Sequence, residues 1–225
     1  MKILYIVLVL GMMSVTVAAQ SSKEEAIALE KKIIAKAKRI GDPGVASYSM
    51  YKLIALEGEK STYKDSLTYM YYSAGKYGSC FMMAGEVLER DPKNKDILEL
   101  RGSSLESLGA LDKAMEVYAE LFEITNNNYH GYNLSKLQLS MKKFEDAYAT
   151  IKKVEVLNDS GKIFVTFSIN QSHTQQIELL AAIPYLKGLI EEELNKNDEA
   201  KLSYQKAIKI QPEFVLAKEK LDKLN

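Results

Sequence analysis

Tryptophan is absent from this chain of 225 residues, cysteine occurs once, histidine twice and proline four times. A single cysteine excludes an internal disulfide, so packing alone must hold the fold together. The two histidines, His130 and His173, have no cysteine or second histidine at ligand spacing, so no metal is expected. No glycine-rich phosphate cradle is visible, and no cofactor is expected. Glu191, Glu192 and Glu193 are consecutive, and consecutive helical carboxylates diverge around the axis, which excludes an acid–base pair from this run. A nucleophile pair of Cys80 with a histidine would need a distant contact. The chain therefore reads as non-catalytic. An excess of one charge is also missing: thirty basic residues stand against thirty acidic ones. Without a basic footprint nothing argues for nucleic acid as a partner.

Long apolar runs are missing except at the start. Lys2 is followed by a mostly apolar stretch from Ile3 to Val17, then by the small residues Ala18 and Ala19 before Gln20. This pattern predicts a cleaved export signal over 1–19, too short and wrongly flanked for a membrane span. Its short form and the Gln20 start favour a bacterial periplasm over other destinations. After cleavage the chain would not be an integral membrane protein, although it would be free to associate with envelope complexes. Twenty-nine basic residues would then balance thirty acidic ones, and the remaining 206 residues read as one elongated domain.

What is plentiful is a repeat with a period near 34 residues. Its last copy has Gly188, Ala200, Tyr204, Ala207 and Pro212. An earlier copy has Gly102, Gly109, Ala114, Tyr118 and Leu121, with Asn126 where the proline would fall. Before it come Leu67, Tyr71, Gly75, Tyr77, Cys80, Val87 and Pro92, and after it Leu134, Phe144, Ala147, Ile151 and Val154. Cys80, Ala114, Ala147 and Ala200 are small enough for two helices to cross closely, since interhelical distance follows the side chains at the contact. Gly102 and Gly188 lie inside a helix despite a propensity cost of about 1 kcal/mol, which close approach would offset. Gly75 and Gly109 suit left-handed helix ends, and Pro92 and Pro212 stop the following helix. Thr68 and Ser135 replace the first-helix glycine in two copies, and Lys142 replaces the turn glycine. These residues resemble the tetratricopeptide repeat family over 61–212.

Ala147 follows Ala114 by 33 residues, whereas Ala200 follows Ala147 by 53. The extra stretch alternates Ile163, Val165, Phe167 and Ile169 with Phe164, Thr166 and Ser168, the period of a strand. With a turn at Asn170–Ser172 and a return strand over 175–179, it predicts a β-hairpin over 162–179. The hairpin either folds over the helices and buries Ile163, Val165 and Phe167, or offers an edge to another chain.

The expected fold is all-α: a right-handed solenoid of helical hairpins with an inserted β-hairpin. The boundaries are a signal at 1–19, a helix pair at 20–60, three repeats at 61–157, the insertion at 158–180, a last repeat at 181–212 and a capping helix at 213–225. Within the first pair, Gly41–Gly44 separates an amphipathic helix over 21–39 from one over 45–56.

The resemblance implies that first helices line a concave groove that holds a protein or peptide. Placed on the family's pattern, that groove takes in Asp65, Tyr69, Tyr72, Glu99, Tyr129, Tyr132, Asn133, Lys136 and Tyr185. Its acidic middle would favour a basic or neutral segment. The competing reading makes the tyrosines packing residues and the carboxylates a solvated face. Some family members grip a C-terminal carboxylate, and of that residue set only Asn133 matches here. The expected function is a non-catalytic scaffold or adaptor of the cell envelope. A periplasmic chaperone holding mobile clients is the alternative, and an enzyme without a recognisable motif is a distant third.

Overall fold

The computed structural model describes the backbone of residues 2–157 and 161–224, with side chains from residue 20 onward. The expected export signal (1–19) and the first residues of the insertion (158–160) rest on side chains or positions outside that set. The described residues form eleven helices and two strands, in chain order α1 (Lys2–Ile40), α2 (Pro43–Glu57), α3 (Tyr63–Ser73), α4 (Tyr77–Arg90), α5 (Lys95–Ser107), α6 (Leu111–Thr125), α7 (Asn128–Ser140), α8 (Phe144–Val154), β1 (Phe164–Ser168), β2 (Thr174–Glu178), α9 (Leu179–Glu193), α10 (Asn197–Ile210) and α11 (Val215–Leu224). They fall into two compact units, 1–100 and 101–225.

In the first unit α1 packs on α2 and α3 on α4. The break between α1 and α2 has a local cause. Gly41 is left-handed, the Asp42 carboxylate accepts the Val45 N–H at 3.0 Å, and Pro43 opens α2. The core of this unit gathers Ile34, Met50, Leu53, Leu67 and Met83.

In the second unit α7 packs on α8, α9 on α10, and α11 closes against α10. The small positions are where the repeat demands them: Cys80, Ala114, Ala147 and Ala200 are all fully buried. A Cβ on Gly188 would meet the Tyr204 ring at 2.5 Å, and one on Gly102 would meet the Tyr118 ring at 3.3 Å. In the third repeat the close approach moves one turn earlier, to Gly131, where a Cβ would lie 2.4 Å from Val154. Ser135 and Thr68, which replace the glycine, are buried and return their hydroxyls to the carbonyls of Gly131 and Lys64 at 2.9 Å. The Lys142 backbone keeps the left-handed conformation of the glycine it replaces, and so does Asn195 in the last repeat.

The insertion is the predicted antiparallel hairpin, with Phe164 opposite Glu178 and Ser168 opposite Thr174. Its odd-numbered face packs down. Ile163, Val165 and Phe167 lie against the core, and Ile177 is fully buried. The Phe167 ring meets Tyr185 edge-on at 5.5 Å and Phe214 at 5.2 Å. Gln175 reaches the loop before α11, donating to the Glu213 carbonyl at 2.7 Å and accepting the Val215 N–H at 3.2 Å.

Two substitutions test the packing. Gly188→Ala drives a methyl into the buried Tyr204 ring and should destabilise the fold by about 2–3 kcal/mol, against less than about 1 kcal/mol for Gly102→Ala, read from denaturant midpoints. Lys142→Gly relieves a left-handed side-chain conformation and should raise stability by about 0.5–1 kcal/mol.

Candidate protein-binding surface

Nine first-helix residues carry the groove expectation, and the structure separates them by burial. In the first unit Tyr69 is 44% exposed on α3. Burial of the ring edge raises its hydroxyl pKa, and the negative charge of Asp96, a hydrogen bond to that carboxylate and the charges of Asp65 and Glu99 raise it further. The phenol therefore lies in an electronegative neighbourhood. Asp65, one turn away, is half-buried and accepts Arg90 Nη2 at 2.6 Å, while Nη1 of the same guanidinium donates to the Ser61 carbonyl at 2.9 Å. That clamp joins α3 to α4 and fixes the carboxylate beside Tyr69. Tyr72 is half-buried and meets Tyr77 edge-on at 5.8 Å. Glu99 is half-buried on α5.

In the second unit three of the expected groove residues do not face outward. Tyr132 is 3% exposed, Tyr185 6% and Asn133 8%. Tyr185 sits among Phe214 at 4.7 Å, Phe167 and Tyr204. Burial, followed by the charges of Glu192 and Glu219, pushes its phenol up to about 12. The inserted hairpin supplies Phe167 to this aromatic cluster. Tyr132 joins the same core, and burial raises its hydroxyl too. The groove expectation is corrected at these three positions: they pack. Tyr129 stays half-buried against the His130 ring, 5.7 Å away, with its N–H capped by the Asn127 side chain at 2.7 Å. Lys136 is paired with Glu106 across α7 and α5 at 2.8 Å.

The residues weighed for chemistry have structural settings. Cys80 is fully buried. His130 is buried with Nδ1 2.8 Å from the Thr125 hydroxyl, and His173 is exposed in the hairpin turn, 3.1 Å from Asn170. Among the described residues no group of three or more His, Cys, Asp or Glu is placed to hold a metal ion. No helix among them is long and apolar enough to cross a membrane.

Two features of the second unit escaped the sequence. One is a charged cluster where α8, α9 and α10 meet. Glu155 accepts from Lys187 at 2.8 Å and from Lys206 at 3.1 Å, and buried Glu191 accepts the Ser203 hydroxyl at 2.6 Å. Burial would raise the Glu155 pKa, but the two lysines outweigh it and hold the carboxyl below its ordinary range. For Glu191 burial dominates and the shift is upward. The other feature is an open cleft of about 600 Å³ between the ends of α6 and α8, lined by Ala119, Phe122, Lys153 and Val156. These contacts join residues far apart in sequence, and no local pattern announces them.

The comparisons with known proteins agree with this architecture. The family model described as tetratricopeptide repeat matches residues 96–128 and 183–214. An uncharacterized protein of Aquifex aeolicus (strain VF5) is 30% identical over 94 residues, 42% of this chain, and the chain spans about half (54%) of that relative's length. Among solved structures, YrrB, described as a tetratricopeptide repeat protein with an unusual peptide-binding site, has a TM-score of 0.66 at 18% identity, covering 91% of this chain and 95% of its own. A tetratricopeptide repeat protein from Parabacteroides merdae has a TM-score of 0.63 at 19% identity, covering 91% and 72%. MamA from Desulfovibrio magneticus RS-1 has 0.59 at 17%, covering 75% and 85%.

The depressed Glu155 carboxyl contributes stability above the ordinary glutamate range, and that contribution is lost as pH falls through its lowered folded-state value. Glu155→Gln should therefore cost about 1 kcal/mol at pH 7 and progressively less below about pH 4, measured by urea unfolding across pH. Two stretches of this chain match the tetratricopeptide repeat model, and along nine-tenths of its length it shares the fold of a solved tetratricopeptide repeat protein.

Proposed function

We propose that the protein is a non-catalytic interaction scaffold that holds a basic or neutral protein segment on its first-helix surface around Tyr69. The observation behind this reading is the setting of that residue. A half-exposed aromatic ring lies among carboxylates, with Asp65 fixed by Arg90 and Asp96 and Glu99 close enough to add their charge. A ring face bordered by carboxylates attracts a lysine or arginine side chain, through cation–π contact and charge together. Tyrosine also gives contact area at low entropic cost. Tyr72 extends the aromatic surface within the same unit. The peptide-binding site named for YrrB supports the same reading by analogy of fold.

The setting we propose is the bacterial envelope, with the segment 1–19 directing export and Gln20 beginning the mature chain. There the scaffold would help assemble or hold an envelope complex. N-terminal sequencing of the protein from its native host should give Gln20 as the first residue; recovery with Met1 from the cytoplasm would remove this part of the reading.

Binding is tested with unstructured peptides of matched length and opposite charge. Basic peptides should bind more tightly than acidic ones, and the preference should weaken as salt rises. Tyr69→Ala combined with Asp96→Asn should weaken basic-peptide binding at least about tenfold, roughly 1.4 kcal/mol, without moving the melting temperature. Equal binding of both peptides, or no effect of the double variant, contradicts the proposal.

A further inference from the structure

The two edges of the inserted hairpin are treated differently. Leu179 N–H donates to the Ile163 carbonyl at 2.8 Å and Ile169 N–H to that of His173 at 2.9 Å. Together with the register, this places the β1–β2 ladder bonds on the odd-numbered residues. The N–H and C=O groups of even-numbered residues therefore point outward from both strands. On β2 that outward edge is closed. The Gln211 side-chain amide donates to the Gln176 carbonyl at 3.1 Å and accepts the Glu178 N–H at 2.9 Å, standing in for a neighbouring strand. On β1 the outward groups of Phe164, Thr166 and Ser168 meet no hydrogen-bond partner among the described residues. Phe164 is 51% exposed on the same face as Thr166 and Ser168. The devices that normally guard a free edge, an inward charge, a proline or a bulge, are missing from the run Phe164–Ser168.

We propose that β1 pairs edge to edge, antiparallel, with β1 of a second copy of this chain, about a two-fold axis at Thr166. The edge is self-complementary in this register. Thr166 faces Thr166 of the second copy and Phe164 faces Ser168, so that all three outward residues of each strand form hydrogen-bonded pairs. A threonine–threonine pair is a favourable cross-strand contact. No charged residue lies in the paired segment. Along β1 itself the nearest like charges, Lys162 of each copy, end eight positions apart along the pair, about 27 Å, beyond the screening length of about 8 Å at physiological salt. These features favour a second copy over a charged foreign segment. One five-residue pairing buries less than the roughly 1,200 Å² of a stable interface, so the dimer is weak, with a dissociation constant on the order of 10 µM to 1 mM.

The test is sedimentation equilibrium of the full chain from about 10 µM to about 1 mM, with amide hydrogen exchange at each concentration. Thr166→Pro removes an outward N–H and no β1–β2 bond, because a proline is tolerated where the N–H faces solvent. Thr166→Lys places two like charges on the axis. The expected result is a concentration-dependent dimer in which the Phe164, Thr166 and Ser168 amides gain protection at least about tenfold. Both variants should lose the dimer and keep the parent melting temperature. A chain that stays monomeric at 1 mM overturns the proposal. So does a dimer that survives both variants, or protection of these amides only on adding a different extended peptide. If Thr166→Pro unfolds the hairpin, Thr166→Lys alone decides.

Discussion

Everything in this molecule depends on helices approaching closely enough to share one apolar layer. Cys80, Ala114, Ala147 and Ala200 are buried to the last atom, and Gly131 and Gly188 leave no room for a single methyl. With a single cysteine the chain forms no internal disulfide, so helix packing carries the fold. Large tyrosines fill the space that the small residues open. Tyr204 packs against Gly188 and donates its hydroxyl to Glu192, which also accepts from Lys220 at 2.9 Å. One pair of helices is thereby tied to the capping helix through a polar contact set on an apolar crossing.

The inserted hairpin changes what the last repeats can offer. By laying Phe167 on Tyr185 and Phe214 it converts a surface position into core. The first unit has no such cover over Tyr69, which keeps an open ring face with carboxylates around it. Insertion and exposed aromatic thus have opposite consequences for binding. The hairpin closes one area while presenting a new edge, and only the β2 side of that edge is sealed, by Gln211.

Much of the fold was legible in the chain because it is written in local or periodic terms. The alternation from Ile163 to Ile169 is a strand pattern that owes nothing to distant contacts, and the 53-residue interval between Ala147 and Ala200 located it. Gly75 and Gly109 are left-handed, as a repeat turn requires. Lys142 and Asn195 adopt that conformation without being glycine, because the turn geometry overrides residue preference. The candidate site was less legible. A tyrosine at helical spacing serves equally as wedge or as contact residue, and contacts distant in sequence (Phe167, Phe214) bury Tyr185 while Tyr69 stays open. Gly131 took over the close approach that Ser135 gave up, a shift of one turn that the repeat grid conceals. The Glu155 cluster joins segments on either side of the insertion, and the Gln211 edge cap joins the insertion to the end of α10, so neither has a local signature.

The central functional claim concerns the surface around Tyr69, and amide and side-chain chemical-shift mapping tests it most directly. On titration with an unstructured lysine-rich peptide, shifts should concentrate at Tyr69, Tyr72, Asp96 and Glu99 and saturate together. Shifts confined to the cleft at Phe122 and Val156, or spread evenly over the acidic residues of the chain, would contradict the account.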